Sequence, residues 1–240
     1  MPKTNIHRTD VFAELEPLSL KGIIQDIQKD LKTKDSVRET VLANSREAVR
    51  ISSQAILLVH RRKFDEARKK LKQAHDLLGN MEETLKDWVE LAHSGAVYTA
   101  YQEFAEASIL LEFSGKRRFP SPKSLGVPSI PYVLGLADVV GELRRMALDS
   151  IRNDSLGMAE KCLNSMEDIH ALLMTLENAN ALAPGLRRKC DVARHLIETT
   201  RGDVTIEARR SLLEQAIRTL EKTVGEKSQG VKPKTSKPSQ

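Results

Sequence analysis

Glu103 and Glu106 lie one helical turn apart in "YQEFAEASILLEF", Tyr101 to Phe113, among apolar neighbours. No Lys or Arg occurs between Lys86 and Lys116, so neither acid has a cation three or four positions away on its own segment. The chain has 38 basic residues, which makes this gap informative. The next apolar segment repeats it: in "SLGVPSIPYVLGLADVVGEL", Ser124 to Leu143, the only charges are Asp138 and Glu142. On helices, the first pair points about 60° apart and the second about 40° apart, so each segment presents two carboxylates on one face. If the two helices pack antiparallel, all four can converge, and like charges so close stay ionised in a dry site only beside a cation. Hard oxygen donors suit Mg²⁺, with Mn²⁺ as the substitute, bound through few protein ligands plus water and substrate phosphate. A single acid of this kind reads more simply as an exposed-edge or hydrogen-bonded core residue. Two pairs, in the two least charged segments, bring metal binding level with that simpler reading. Glu112 falls off this face and reads as a helix-end acid.

The positive charge sits elsewhere. "HRRKFDEARKKLKQ" carries seven Lys or Arg between Arg61 and Lys72. A solvated helix face, with Asp65 paired to Lys69 and Glu66 to Lys70, explains it as well as a strip that tracks phosphates. Arg144 and Arg145 follow directly on the second acidic pair, where guanidinium groups suit phosphate recognition. Arg61, Arg62, Lys69, Arg144 and Arg145 are therefore the candidate nucleic-acid contacts. The net charge of +5 permits such binding without requiring it.

Other chemistries find little support. The histidines show no HExxH or paired spacing, and there is no Walker loop, GxGxxG or nucleophile elbow. Cys162 and Cys190 lack CxxC spacing, which speaks against zinc and for a reducing compartment. No apolar run reaches the roughly 18 to 20 residues of a membrane span, and the first residues lack a signal-peptide core, so a cytoplasmic location is expected.

The elements that must position the acids are helical. Glycines and prolines are few, at 12 and 9, alternating strand patterns are scarce, and aromatic residues make up only 4%, so packing rests on Leu, Ile, Val, Ala and Met. The expected fold is an all-α, elongated bundle of about seven helices, forming one domain over 18–224 between an N-terminal extension, 1–17, and a disordered basic tail, 225–240. Ser36 and Glu39 read as a capping box, with a break near Lys63. Gly79 reads as a stop before a cap at Asn80 and Glu83, and Ser94-Gly95 as a break before a helix over 96–113. "SGKRRFPSPKSLGVPSIP", with four prolines, is an irregular basic connector. Helices then run from Tyr132 to about Ile151, from Asn153-Asp154 to Leu176, from Pro184 to Arg201-Gly202, and from a cap at Asp203 or Thr205 to Val224.

"YQEFAEA" followed by "YVLGLADVVGELRRM", Tyr132 to Met146, resembles the signature of the translin superfamily, in its translin-associated factor X branch and of archaeal type. The resemblance implies an all-α subunit of a hollow homo-oligomer, octamers included, that binds single-stranded RNA or DNA and cleaves RNA with Mg²⁺. A translin-like partner subunit is a further expectation it raises. It implies that Glu103, Glu106 and Asp138 are catalytic metal ligands, with Glu142 the fourth acid. The function so implied is a Mg²⁺-dependent endoribonuclease. Two rivals stand beside it: an all-α nucleoside triphosphate pyrophosphohydrolase, which also uses ExxE acids on helices, and a non-catalytic nucleic-acid-binding translin-like protein.

Overall fold

The computed structural model describes residues 19–92, 94–116, 118–176 and 181–229. Among these residues the fold is all helical, with six long helices: α1 (Leu20–His60), α2 (Phe64–Leu85), α4 (Gly95–Lys116), α6 (Ser129–Arg152), α7 (Leu156–Met174) and α8 (Leu186–Gln229). Two single-turn helices, α3 (Val89–Ala92) and α5 (Pro122–Leu125), sit in the connections. No helix is long and apolar enough to cross a membrane among the described residues.

Ser19 starts α1 by accepting the Gly22 N–H at 3.2 Å. The start expected at Ser36 does not occur, because α1 runs through it and the Ser36 carbonyl accepts the Thr40 hydroxyl. Ion pairs one turn apart, Asp30 with Lys34 and Asp35 with Arg38, line the exposed surface there and suit an uninterrupted helix. The break near Lys63 is real: α1 ends at His60, and Arg62 takes a left-handed φ of 59°. The stops expected at Gly79 and Gly202 are absent. Both glycines face open space inside continuous helices, where the lost propensity of roughly 1 kcal/mol is outweighed by packing on the opposite face. The connector expected over 114–131 is shorter at both ends and holds α5, which Ser121 caps and Gly126 closes at a φ of 64°. The expected tail boundary at Val224 falls inside α8; residues 1–18 and 230–240 lie outside the described residues.

Contacts fix the helix directions. Lys34 of α1 meets Glu90, just before α4, and His60 at the other end of α1 lines a cavity with Ser114 at the far end of α4. Ser114 in turn meets Met146 of α6, and Asp138 and Arg144 of α6 meet Lys189 and Thr200 of α8 in the same order. Thus α1, α4, α6 and α8 run one way. Helix α2 runs against α1, with Ser45 on Met81, and α7 runs against α8, with Glu167 on Arg201. The chain returns through α2, through the 117–128 connector, and through α7.

Helix α4 is apolar nearly all round because it is buried on both sides. Val97, Ala100, Phe104 and Leu110 join α1 and α2 in one core, while Ile109 and Phe113 join α6, α7 and α8 in the other. The two longest helices, about 60 Å and 66 Å by their residue counts, extend past these cores. Their ends expose apolar rows: Leu20, Ile24, Ile27 and Leu31 on α1, and Leu213, Ile217 and Leu220 on α8.

Candidate functional site

The middle of α4 and the first half of α6 meet at Gly135. A Cβ there would stand 2.6 Å from the Gln102 carbonyl oxygen and 3.1 Å from the Glu106 backbone nitrogen. Only glycine allows the two backbones this close. The approach sets Asp138, one turn further along α6, against the α4 carboxylates. Glu106 is buried, at 8% exposure, and Glu103, Asp138 and Glu142 are half-buried.

Burial is the main force on Glu106, and the negative charges of Asp138, Glu103 and Glu142 add to it; together they push its carboxyl up to about 9. Glu103 is raised as well, first by desolvation and then by Asp138, against a lowering pull from Lys189. Lys189 is the one lysine reaching this group among the described residues. Its Nζ donates to Asp138 Oδ1 at 2.5 Å, and Gln102 Nε2 donates to the other oxygen at 2.7 Å. Glu142 meets the buried His60 ring, with the Arg145 guanidinium 3.9 Å away.

The four acids therefore share one electrostatic field without sharing one point. Among the described residues, no three His, Cys, Asp or Glu side chains stand together as ligands of one ion. The cause lies in the chain path. Because α4 and α6 run parallel rather than antiparallel, Glu142 is carried toward the far end of α4 and to His60, and Asp138 is engaged by Lys189. The donor set still fits a hard dication. It is all carboxylate oxygen, it is short of positive charge, and burial, with the neighbouring acids, pushes the carboxyl of its most buried member up to about 9.

The Translin family profile matches residues 19–199. The chain belongs to the translin family. An uncharacterized protein of Methanocaldococcus jannaschii is 36% identical over 176 residues, covering 72% of this chain and 78% of that one. The crystal structure of AfC3PO superposes with a TM-score of 0.70 at 34% identity, over 79% of this chain and 98% of AfC3PO. The structure of AfC3PO in complex with duplex RNA gives 0.69 at 33% identity and the same coverage. Apo-NeC3PO shares the fold at a TM-score of 0.70 and 21% identity, over 77% of this chain and 96% of its own.

Within this translin-family fold the basic candidates separate. Arg61, Arg62 and Lys69 are exposed and enter none of the ion pairs among the described residues; Asp65 pairs with Arg68 and Glu66 with Lys63 instead of the expected partners. Arg145 is half-exposed beside Glu142. Arg144 is different: its Nη1 donates to Thr200 at 2.7 Å and to Thr199 at 2.9 Å, with Asp203 3.5 Å away, so it ties α6 to α8. Sequence reasoning missed His60, Gln102, Gly135 and Lys189. Gly135 alone left a trace, as the small residue one turn before Asp138. His60 and Lys189 lie 82 and 51 positions from the acids they meet.

Proposed function

We propose that the protein is a metal-dependent endoribonuclease of the factor X branch, working as a homo-oligomer. The observation that carries this reading is Glu106: a buried carboxyl among three others, on helices brought to backbone contact by Gly135. Retention of Glu103, Glu106, Asp138 and Glu142 supports the catalytic branch over a purely binding one. Glu106, with Glu103 and Asp138 beside it, would hold Mg²⁺ or Mn²⁺ once their side chains turn toward one ion, and Glu142 would join them only on release from His60; the ion when bound supplies charge neutralisation for the scissile phosphate and an activated water.

The chain's own residues do the rest. Glu106 itself is 8% exposed, so bulk water has little access to its carboxyl. Gln102 and Lys189 orient Asp138, and Lys189 and Arg145 bring positive charge to the rim. Arg61, Arg62 and Lys69 offer unpaired charge for the RNA backbone. The duplex RNA bound to AfC3PO supports RNA as the ligand class and makes both strand states worth testing. The exposed apolar rows of α1 and α8 support self-assembly. Translin-family membership leaves the pyrophosphohydrolase alternative without an observation in its favour.

The test is incubation of the purified protein with labelled single-stranded and duplex RNA, with Mg²⁺ or EDTA, beside Glu106→Ala. The expected result is Mg²⁺-dependent cleavage that the substitution removes. Cleavage surviving both EDTA and the substitution overturns the metal-carboxylate reading. RNA binding without cleavage under any condition selects the non-catalytic alternative.

A further inference from the structure

A cavity of about 330 Å³ opens beside the carboxylates, between the α1–α2 turn and the last turns of α6. It continues the face of α6 that carries Glu142. Met146 follows that residue by four positions and Asp149 by seven, about 6 and 11 Å along the helix. His60 forms part of the wall between the two spaces, with its ring on Glu142 and its side chain lining the cavity.

The lining is of two kinds. Phe64 and Met146 offer an aromatic face and a polarizable thioether. Asn153 and Ser155 offer hydrogen-bonding groups that the fold leaves open. The Asn153 amide nitrogen donates to the Asp149 carbonyl at 2.7 Å, which leaves its oxygen as an acceptor. Ser155 occupies the N-cap of α7, yet its hydroxyl makes no capping bond. Arg62, whose backbone takes a left-handed φ of 59°, stands in the lining with no ion pair among the described residues.

An apolar face, an open polar edge and a free guanidinium match a flat heterocycle carrying a phosphate. We propose that this cavity binds the nucleobase of a nucleotide adjoining the phosphate at the carboxylates, an inference that rests on RNA being the substrate. The base stacks on Phe64 and Met146, presents its edge to Asn153 and Ser155, and leaves its phosphate to Arg62. Such a pocket takes an unstacked base, so the strand must be single or locally opened at the cut. It also gives the cleavage a base preference that the carboxylates alone do not supply.

The experiment is calorimetric titration of the full chain, in EDTA, with AMP, GMP, CMP and UMP against ribose 5-phosphate. At least one nucleotide is expected to bind about tenfold or more tightly than the sugar phosphate. Asn153→Trp, an exposed position at which the indole fills the cavity, should abolish the difference, and Phe64→Leu, which keeps apolar bulk without the ring, should reduce it. Nucleotides that bind no better than ribose 5-phosphate, or an advantage that persists in Asn153→Trp, overturn the proposal. Cleavage of RNA by the unmodified protein with Mg²⁺ is scored separately. A chain that cleaves but shows no base advantage refutes the pocket alone, and one that binds bases but does not cleave refutes the nuclease reading alone.

Discussion

Replacing Glu106 by Gln removes a carboxyl that the folded chain keeps protonated and the unfolded chain does not. In the native state its proton is held up to about pH 9, while exposed in the unfolded chain it is released near the ordinary value of 4.5. The stabilising effect of that proton is complete below pH 4.5 and is lost as pH rises toward about 9, because only the unfolded state ionises in that interval. Each pH unit there favours unfolding by about 1.4 kcal/mol, which amounts to roughly 3 kcal/mol at neutral pH and roughly 6 at the upper end. Glu106→Gln carries no such liability, since the amide is neutral in both states. In EDTA, urea denaturation should show the two proteins nearly equal at about pH 5 and the variant more stable by about 3 kcal/mol near neutrality. Adding Mg²⁺ should narrow that gap, because ions bind the native carboxylates only, and a concentration about a hundredfold above Kd stabilises the unmodified protein by about 2.7 kcal/mol. Denaturation curves that keep the same separation at every pH refute the buried-proton account. Equal stabilisation of both proteins by Mg²⁺ refutes the role of Glu106 as a ligand.

Gly135→Ala should destabilise by about 1–3 kcal/mol, since its Cβ meets backbone at 2.6 Å, and should suppress cleavage, whereas Gly79→Ala, facing open space, should stabilise by about 0.5–1 kcal/mol; thermal melting of both checks the sign. Arg61→Ala with Arg62→Ala should flatten the salt dependence of RNA binding by about one to two in log–log slope, and Arg144→Met should leave that slope unchanged while costing about 1–3 kcal/mol of stability. An unchanged slope in the double variant returns that turn to a merely solvated surface. Asp138→Asn should reduce cleavage more than Glu142→Gln, because Asp138 acts more strongly on the Glu106 carboxyl; single-turnover rates in the reverse order contradict the geometry. Ile24→Glu with Ile27→Glu, on the exposed row of α1, should lower the assembled mass measured by sedimentation, and an unchanged mass excludes that row from the interface.

Local signals carried much of the fold. The all-round apolar pattern of α4 marked a buried helix, the unbroken stretch without Lys or Arg marked its acids as unpaired, and the basic turn after His60 marked a true break. The same kind of signal misled at Ser36, Gly79 and Gly202. A capping serine or a glycine shifts a helix by roughly 1 kcal/mol, and the packing of a continuous helix against its neighbours exceeds that. Arg144 looked like a free guanidinium because its partners, Thr199, Thr200 and Asp203, sit more than fifty positions away.

The arrangement of the acids turned on a connector whose composition was legible and whose path was not. Its four prolines, Pro120, Pro122, Pro128 and Pro131, marked 114–131 as an irregular connector. An antiparallel hairpin across that segment would set Glu142 opposite Glu103 and Asp138 opposite Glu106, closing a cage of the kind the spacing suggested. The connector instead carries the chain back along α4, so that α6 starts beside Val97 to Tyr101, where Pro128 and Pro131 pack, and runs parallel from there. Gly135 then falls on Gln102 to Glu106, Asp138 lies within reach of Lys189, and Glu142 continues to His60. The outcome is graded rather than symmetric: one buried acid, two close neighbours and one outlying member held by His60, which lines the cavity at the α1–α2 turn. That gradation links the carboxylates to the pocket proposed for the base, because His60, held against Glu142, belongs to both.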